Sequence, residues 1–197
     1  MKFRVLVVAA MLAFTACHDE RSTLGDQYFE KGDYEQAIVA YSEYLKMKPR
    51  KDNALYNRGR AYEELGDFEN AVLDFKKVIE INPEHHSAFL SLGQSYYRDK
   101  NYDGAVFQYG KVLELDPENS MAHFLRGKAN QRKGLVKEAM SDYNSALRIN
   151  NELGEAYLNR GSLRLHLKQK TAACKDFRRA KTLDVPAADG AISKYCK

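Results

Sequence analysis

Small and aromatic residues recur along the chain with a period of 34 residues. The recurring alanines are Ala37, Ala71, Ala105, Ala139 and Ala173. A glycine lies twelve residues before each alanine, at Gly25, Gly59, Gly93, Gly127 and Gly161. An aromatic residue lies four residues after each alanine, at Tyr41, Phe75, Tyr109, Tyr143 and Phe177. Agreement in three registers indicates five copies of one structural unit.

Each copy is predicted to be a helical hairpin. An alanine and an aromatic residue four apart share a helix face, and we expect the aromatic ring to fill the space between neighbouring hairpins. The small glycine and alanine are expected to let two helix backbones approach closely where they cross. Turns between the two helices are predicted at Gly32-Asp33, Gly66-Asp67, Lys100-Asn101, Gly134 and Lys168-Gln169. Pro49, Pro83 and Pro117 are expected to close second helices, because proline blocks continuation.

A single hairpin cannot bury its own apolar face, so stacked neighbours must provide the stability. The predicted repeats are residues 18–51, 52–85, 86–119, 120–153 and 154–187. At the C-terminal end, Ala188, Ala191, Ile192 and Tyr195 recur at three- and four-residue spacing, which predicts a capping helix over residues 188–197. The sequence therefore predicts an all-α fold of about eleven helices.

The N-terminal segment has the pattern of an export signal. Met1–Arg4 is cationic, and the apolar run over residues 5–16 would rise only about 18 Å as a helix, too short for a bilayer core of about 30 Å. We therefore expect residues 1–16 to be a signal peptide that is removed.

The end of this segment, Phe14-Thr15-Ala16-Cys17, resembles the lipobox of bacterial lipoproteins. That resemblance implies that Cys17 is lipidated and begins the mature chain, with residues 17–22 as a short tether. The alternative is an ordinary signal peptide with an incidental cysteine. His18 follows Cys17 in place of an aspartate that favours inner-membrane retention, so we expect an outer-membrane lipoprotein facing the periplasm. Export to the cell surface is the alternative, because Asp19-Glu20 could act as an acidic export signal.

The repeats resemble the tetratricopeptide repeat (TPR). Phe89-Leu90-Ser91-Leu92-Gly93, Tyr96 and Gly104-Ala105 through Tyr109 to Pro117 follow its pattern, and the resemblance covers residues 18–187. It implies a right-handed α-solenoid of about five hairpins plus a C-terminal cap, with a protein-binding role. Three repeats depart by having an arginine just before the glycine, whose head is expected to reach solvent or a neighbouring carbonyl. These arginines are Arg58, Arg126 and Arg160.

Two cysteines remain in the last repeat and the cap. Cys174 and Cys196 lie on faces that meet if the cap packs on the second helix of repeat five, and an exported protein can keep a disulfide. We expect a bridge between them. Two buried free thiols are the alternative.

The sequence contains no catalytic constellation. It has no glycine-rich phosphate loop and no zinc signature; His85-His86 falls in a turn between repeats, and His123 and His166 stand alone. A net charge of +4 is too small to suggest nucleic-acid binding. We expect no enzyme activity, no cofactor and no small-molecule substrate.

In proteins of this family the first helices line an inner groove. Tyr56, Leu90, Phe124 and Leu158 occupy equivalent first-helix positions and form an apolar ladder, and a basic margin accompanies it. The predicted groove residues are Tyr56, Arg60, Leu90, Gln94, Tyr97, Arg98, Phe124, Lys128, Arg132 and Leu158, with Gln131 and Ser162 beside them. Such a groove suits an extended peptide or a partner helix with apolar anchors and some acidic residues. The alternative is a ladder partly buried between first helices. The Lys/Asn/Arg carboxylate clamp of some family members is not reproduced.

Together these features predict a membrane-tethered adaptor that binds proteins or peptides of the bacterial cell envelope. The alternative is a fixed structural subunit of an outer-membrane assembly, secretion or pilus machine, and an enzyme with an unrecognised site is the remote reading.

Overall fold

The computed structural model describes residues 24–197, and the predicted signal peptide, Cys17 and most of the tether lie outside that range. The described part consists of eleven α-helices and contains no strand. The helices are α1 (residues 24–30), α2 (Tyr34–Met47), α3 (Asp52–Glu64), α4 (Phe68–Ile81), α5 (His86–Arg98), α6 (Tyr102–Leu115), α7 (Ser120–Arg132), α8 (Val136–Ile149), α9 (Gly154–His166), α10 (Lys170–Thr182) and α11 (Ala187–Tyr195). None of these helices is long and apolar enough to cross a membrane.

The chain divides into two compact units, with the boundary between Ala88 and Phe89 in helix α5. In the first unit, α2, α3 and α4 pack around a core that includes Tyr41, Leu55 and Val78. In the second unit, α6 to α9 pack around a core that includes Tyr109 and Tyr143. The prediction of an all-α fold of helical hairpins is confirmed.

The turns inside the hairpins depend on one residue with a positive φ. Gly32, Gly66 and Gly134 have φ between 76° and 78°, and Lys100 and Lys168 adopt φ of 60° at the equivalent positions. A left-handed residue ends a helix by letting following N–H groups reach back to its last carbonyls. The next helix then starts on a side-chain cap in three hairpins, where Asp33, Asp67 and Asn101 accept a backbone N–H three residues ahead.

The repeat glycines make room for an aromatic ring. A Cβ on Gly93 would lie 2.5 Å from the ring of Tyr109, and the other four glycine–aromatic pairs are as close, at 2.5 to 2.9 Å. These contacts join the two helices of one hairpin. Each ring therefore lies on the glycine of its own hairpin, where any side chain would collide with it. The ring also belongs to the packing between neighbouring hairpins, as expected, since Tyr109 shares a buried cluster with Phe124 and Leu125 of the next hairpin.

The three arginines before the repeat glycines form ion pairs with buried aspartates. Arg58 donates two hydrogen bonds to Asp74, at 2.7 and 2.8 Å, and a third to Ser42 on the preceding second helix at 3.0 Å. Arg126 and Arg160 bind Asp142 and Asp176 in the same way, sixteen residues ahead. The expectation that these heads reach solvent or carbonyls was wrong, because each aspartate is at most 4% exposed and provides a carboxylate inside the hairpin.

The C-terminal cap is helix α11, which packs on α10. Ala188 is fully buried and Val185 is 8% exposed, in a cluster with Ala180. A disulfide joins Cys174 and Cys196, whose Cα atoms lie 5.6 Å apart. The predicted bridge is confirmed in the structure, and the cap is held to the last hairpin by both packing and a covalent bond.

Candidate protein-binding cleft

First-helix side chains of the second unit form a cleft of about 360 Å³. Residues one turn apart on α7 share a face that points toward α5 and α9, because helix positions i, i+3 and i+4 lie together. The 34-residue period then places equivalent side chains side by side. The cleft is lined by Tyr97, Lys128, Gln131, Arg132, Asn159 and Ser162.

Hydrogen bonds fix two of the polar groups in this cleft. Arg132 Nε donates to the Tyr97 hydroxyl at 3.1 Å, and this bond raises the pKa of Arg132. Gln131 Oε1 accepts from the hydroxyl of Tyr143 at 2.6 Å. Burial raises the pKa of Tyr143, so this phenol remains a donor and holds the amide in one orientation. The cleft is thus partly preorganised.

The charge in the cleft is positive and is not neutralised by a carboxylate. Lys128 Nζ lies 5.5 Å from the ring centre of Tyr97 and 5.4 Å from that of Phe124, which are cation–π distances. Within the part of the chain that the structure describes, neither Lys128 nor Arg132 forms an ion pair with an acidic residue. Because no lining residue is acidic, the site is suited to a carboxylate or another anionic group.

The predicted groove residues of the second unit fall into two groups. Tyr97, Lys128 and Arg132 meet in the cleft, as do Gln131 and Ser162. Leu90 is half-buried against the core, Leu158 packs against the cluster of Ala180, Val185 and Ala188, and Phe124 is only 8% exposed. Gln94 and Arg98 are exposed on α5 and do not line the cleft. The apolar ladder in this unit thus contributes mainly to packing, and Phe124 has little surface to offer a ligand.

The remaining two predicted residues lie in the first unit and make local contacts. The centre of the Tyr56 ring lies 4.9 Å from that of the His85 ring and 5.7 Å from that of the Phe75 ring, both in tilted arrangements. Arg60 forms ion pairs with Glu63 and Glu64 on its own helix. Both side chains are half-buried.

Asn159 is the cleft residue that was missed from the sequence. Its side-chain amide donates to the carbonyl of Glu155 at 2.8 Å. It lies three residues before Ser162, on the same face of α9, and this spacing was the available signal. Asn159 also belongs to the Asn159-Arg160-Gly161 pattern, which indicates packing inside the hairpin.

The first unit has a smaller cleft of about 300 Å³, which is largely apolar. Leu24 and Ala40 line it, with Tyr28 and Val39. Leu24 and Ala40 stand where Arg58 and Asp74 form an ion pair in the next hairpin, so the space that the two long side chains fill there is left open here.

Two of the histidines have structural contacts. His123 lies 3.3 Å from the carboxylate of Asp142 and 3.1 Å from the carbonyl of Pro117. His85 Nδ1 accepts from the backbone N–H of Ala88 at 3.2 Å. Among the described residues no three His, Cys, Asp or Glu side chains are grouped so that they could hold a metal ion.

Comparison with known families gives consecutive matches from residue 25 to residue 184. Models of the TPR repeat and the tetratricopeptide repeat match residues 25–66, 53–85, 75–114, 90–153 and 154–184. No curated protein matches the chain in sequence.

Solved structures with the same fold include two proteins, MamA and YrrB. MamA from Desulfovibrio magneticus RS-1 is 21% identical, with a TM-score of 0.78, over 85% of this chain and 94% of that chain. Another crystal structure of MamA is 23% identical, with a TM-score of 0.76, over 82% and 94% of the two chains. YrrB, described as a TPR protein with an unusual peptide-binding site, is 19% identical, with a TM-score of 0.74, over 92% and 98%.

Proposed function

Because the chain belongs to the tetratricopeptide repeat family, we propose that it is a membrane-anchored adaptor of the bacterial cell envelope. Repeats of this family form scaffolds for protein–protein interaction, and that general role is supported by the family matches along the chain. The finer proposal is that the protein holds a segment of another envelope protein on its first helices.

The N-terminal sequence supports the lipid anchor. The cationic start, the apolar run of twelve residues and the Phe14-Thr15-Ala16-Cys17 ending are those of a lipoprotein precursor. Several acyl chains on Cys17 would bind the bilayer essentially permanently, at about 0.8 kcal/mol per buried methylene. Seven residues then lead from Cys17 to Leu24, so the array would stand at most about 25 Å from the membrane.

The observation that carries the binding proposal is the cleft lined by Tyr97, Lys128 and Arg132. It combines an aromatic surface with two cations that lack an acidic partner among the described residues. The expected ligand is an extended segment of a protein with an acidic side chain at this point. The peptide-binding site named for YrrB supports this mode of action by analogy of fold.

The test is affinity capture of the anchored protein from its own envelope, comparing two double variants. Lys128→Glu with Arg132→Glu should weaken partner capture at least about tenfold, because a hydrogen bond to a charged group contributes about 1.5–3 kcal/mol. Lys137→Glu with Arg148→Glu, on second helix α8 of the same unit, makes the same change in charge and should leave capture intact.

Helical circular dichroism must be unchanged in both variants. Equal capture by the two variants would place the site elsewhere. One stoichiometric partner in the wild-type capture would favour the fixed subunit over the adaptor, and several substoichiometric partners would favour the adaptor.

A further inference from the structure

The outward face of helix α10 carries charges of one sign. Its cations are Lys170, Lys175, Arg178, Arg179 and Lys181, and all five are exposed. The single acid of the helix, Asp176, is 3% exposed and is bound by Arg160 and Arg164. No carboxylate of α10 therefore offsets the five cations at the surface.

The other second helices do not share this property. Each of α2, α4, α6 and α8 mixes exposed acids with exposed or partly exposed cations, as ordinary protein surfaces do. Their exposed acids are Glu35, Glu43, Glu69, Glu80, Asp103, Glu114 and Glu138. Cations on one helix face repel one another, and an anionic partner would reduce that repulsion.

Part of the charge on α10 has no local partner. Lys181 pairs with Asp189, and Arg179 donates to the carbonyl of Asn151. Lys175 and Arg178 form neither an ion pair nor a hydrogen bond within residues 24–197. These two cations are available to a ligand.

The disulfide brings more cations to the start of α10. Cys174 Sγ lies 3.7 Å from the carbonyl oxygen of Tyr195, and Lys170 Nζ donates to the carbonyl of Lys197 at 3.2 Å. The bridge to Cys196 therefore holds the end of the cap, with Lys194 and an exposed tyrosine ring, beside the first turn of α10.

We propose that this basic face, defined by Lys170, Lys175, Arg178, Lys194, Tyr195 and Lys197, binds an anionic phospholipid surface. Lysine and arginine near such a surface contribute about 1 kcal/mol each, and tyrosine favours the membrane–water interface. The cations lie along an exposed helix and its rim, and none of them lines either of the two clefts described above. Such an arrangement suits an extended charged surface better than one acidic peptide. The inference rests on the proposed function only for the presence of a nearby membrane.

The test uses the absence of tryptophan from the chain. In the full-length, lipid-anchored protein, Tyr195→Trp provides a single emitter on the basic face, and Leu135→Trp provides a matched exposed emitter in the same unit. Both are placed on vesicles with brominated acyl chains, made either with phosphatidylglycerol or with phosphatidylcholine alone.

We expect the tryptophan at position 195 to be quenched only on the phosphatidylglycerol vesicles, and the one at position 135 on neither. Adding Lys175→Glu with Arg178→Glu should lower the docked-to-undocked ratio at least about 30-fold. Salt near 1 M should release the face, because the screening length falls to about 3 Å.

Three results would overturn the inference. The first is no quenching on phosphatidylglycerol vesicles, and the second is equal quenching on both vesicle types. The third is a change in the emission of the tryptophan at position 195 when more of the same protein is added without vesicles, which would identify a second copy as the partner. Co-flotation of a Cys17→Ala variant separates this inference from the proposed lipid anchor. Even if Cys17 is not lipidated, the unacylated protein should still bind phosphatidylglycerol vesicles through this face.

Discussion

At the scale of single residues, two positions of the repeat vary together. Where an arginine precedes the repeat glycine, an aspartate precedes the aromatic residue, and this holds for Arg58, Arg126 and Arg160. Where a leucine precedes the glycine, an alanine or a glutamine takes the second place, as in Leu24 with Ala40 and Leu92 with Gln108. The hairpin therefore accepts either a buried ion pair or a smaller uncharged pair at the same point.

This alternation predicts the outcome of a double-mutant cycle in the first unit. Asp74→Ala alone should lower the free energy of unfolding by about 3–5 kcal/mol, because it leaves the Arg58 guanidinium largely buried without its carboxylate. Adding Arg58→Leu, which reproduces the pair of the first hairpin, should restore most of that loss. Urea unfolding followed by circular dichroism measures both. A double variant as unstable as the single one would show that the hairpin needs the Arg58–Asp74 ion pair for its stability.

The repeat glycines give a second prediction at this scale. Gly93→Ala puts a Cβ 2.5 Å from the buried ring of Tyr109 and should destabilise the protein by about 1–3 kcal/mol. Gly110→Ala is the matched control, because it lies in the interior of α6 with open space around it. That change should stabilise by about 0.5–1 kcal/mol through helix propensity. Thermal unfolding midpoints that move in the same direction would contradict this assignment.

At the scale of elements, the C-terminal cap depends on packing and on the disulfide together. Helix α11 has nine residues, which is too short for a stable isolated helix. Its apolar face packs on α10 through Ala188, with the bridge at its far end. The cap is thus the element whose order should respond most to reduction.

Reduction of the Cys174–Cys196 bridge should lower stability by about 3 kcal/mol in the chain-entropy model. The measurement is the unfolding midpoint with and without a thiol reductant. A variant with Cys174→Ser and Cys196→Ser should have a low midpoint that the reductant does not change. If the midpoint of the wild-type protein were also insensitive to reductant, packing alone would hold the cap.

At the scale of the whole molecule, the 34-residue period was sufficient to predict the hairpins. The turn at Lys100 followed from it, because the period places Lys100 where Gly66 stands one repeat earlier. The Cys174–Cys196 pair followed from the placement of the cap. These features depend on the order of residues along the chain, and a repeat shows that order several times over.

Contacts between side chains sixteen residues apart were harder to predict. Asp74 and its equivalents resemble surface acids in the sequence, since nothing local shows that an arginine on the other helix of the hairpin reaches them. Phe124 was equally ambiguous, because an apolar residue on a first helix can line a groove or pack inward. Only three of the ten predicted groove residues, Tyr97, Lys128 and Arg132, meet in the cleft.

Site-specific photo-crosslinking in the native envelope shows whether a partner protein occupies the cleft. A photoreactive residue replaces Ser162 in the cleft or, as control, Ser141 on the exposed face of α8. If the cleft binds a partner protein, we expect a discrete protein adduct at position 162, lost when Lys128→Glu and Arg132→Glu are added, and none at position 141. An adduct confined to position 141, or one at position 162 that survives the charge reversal, would contradict it.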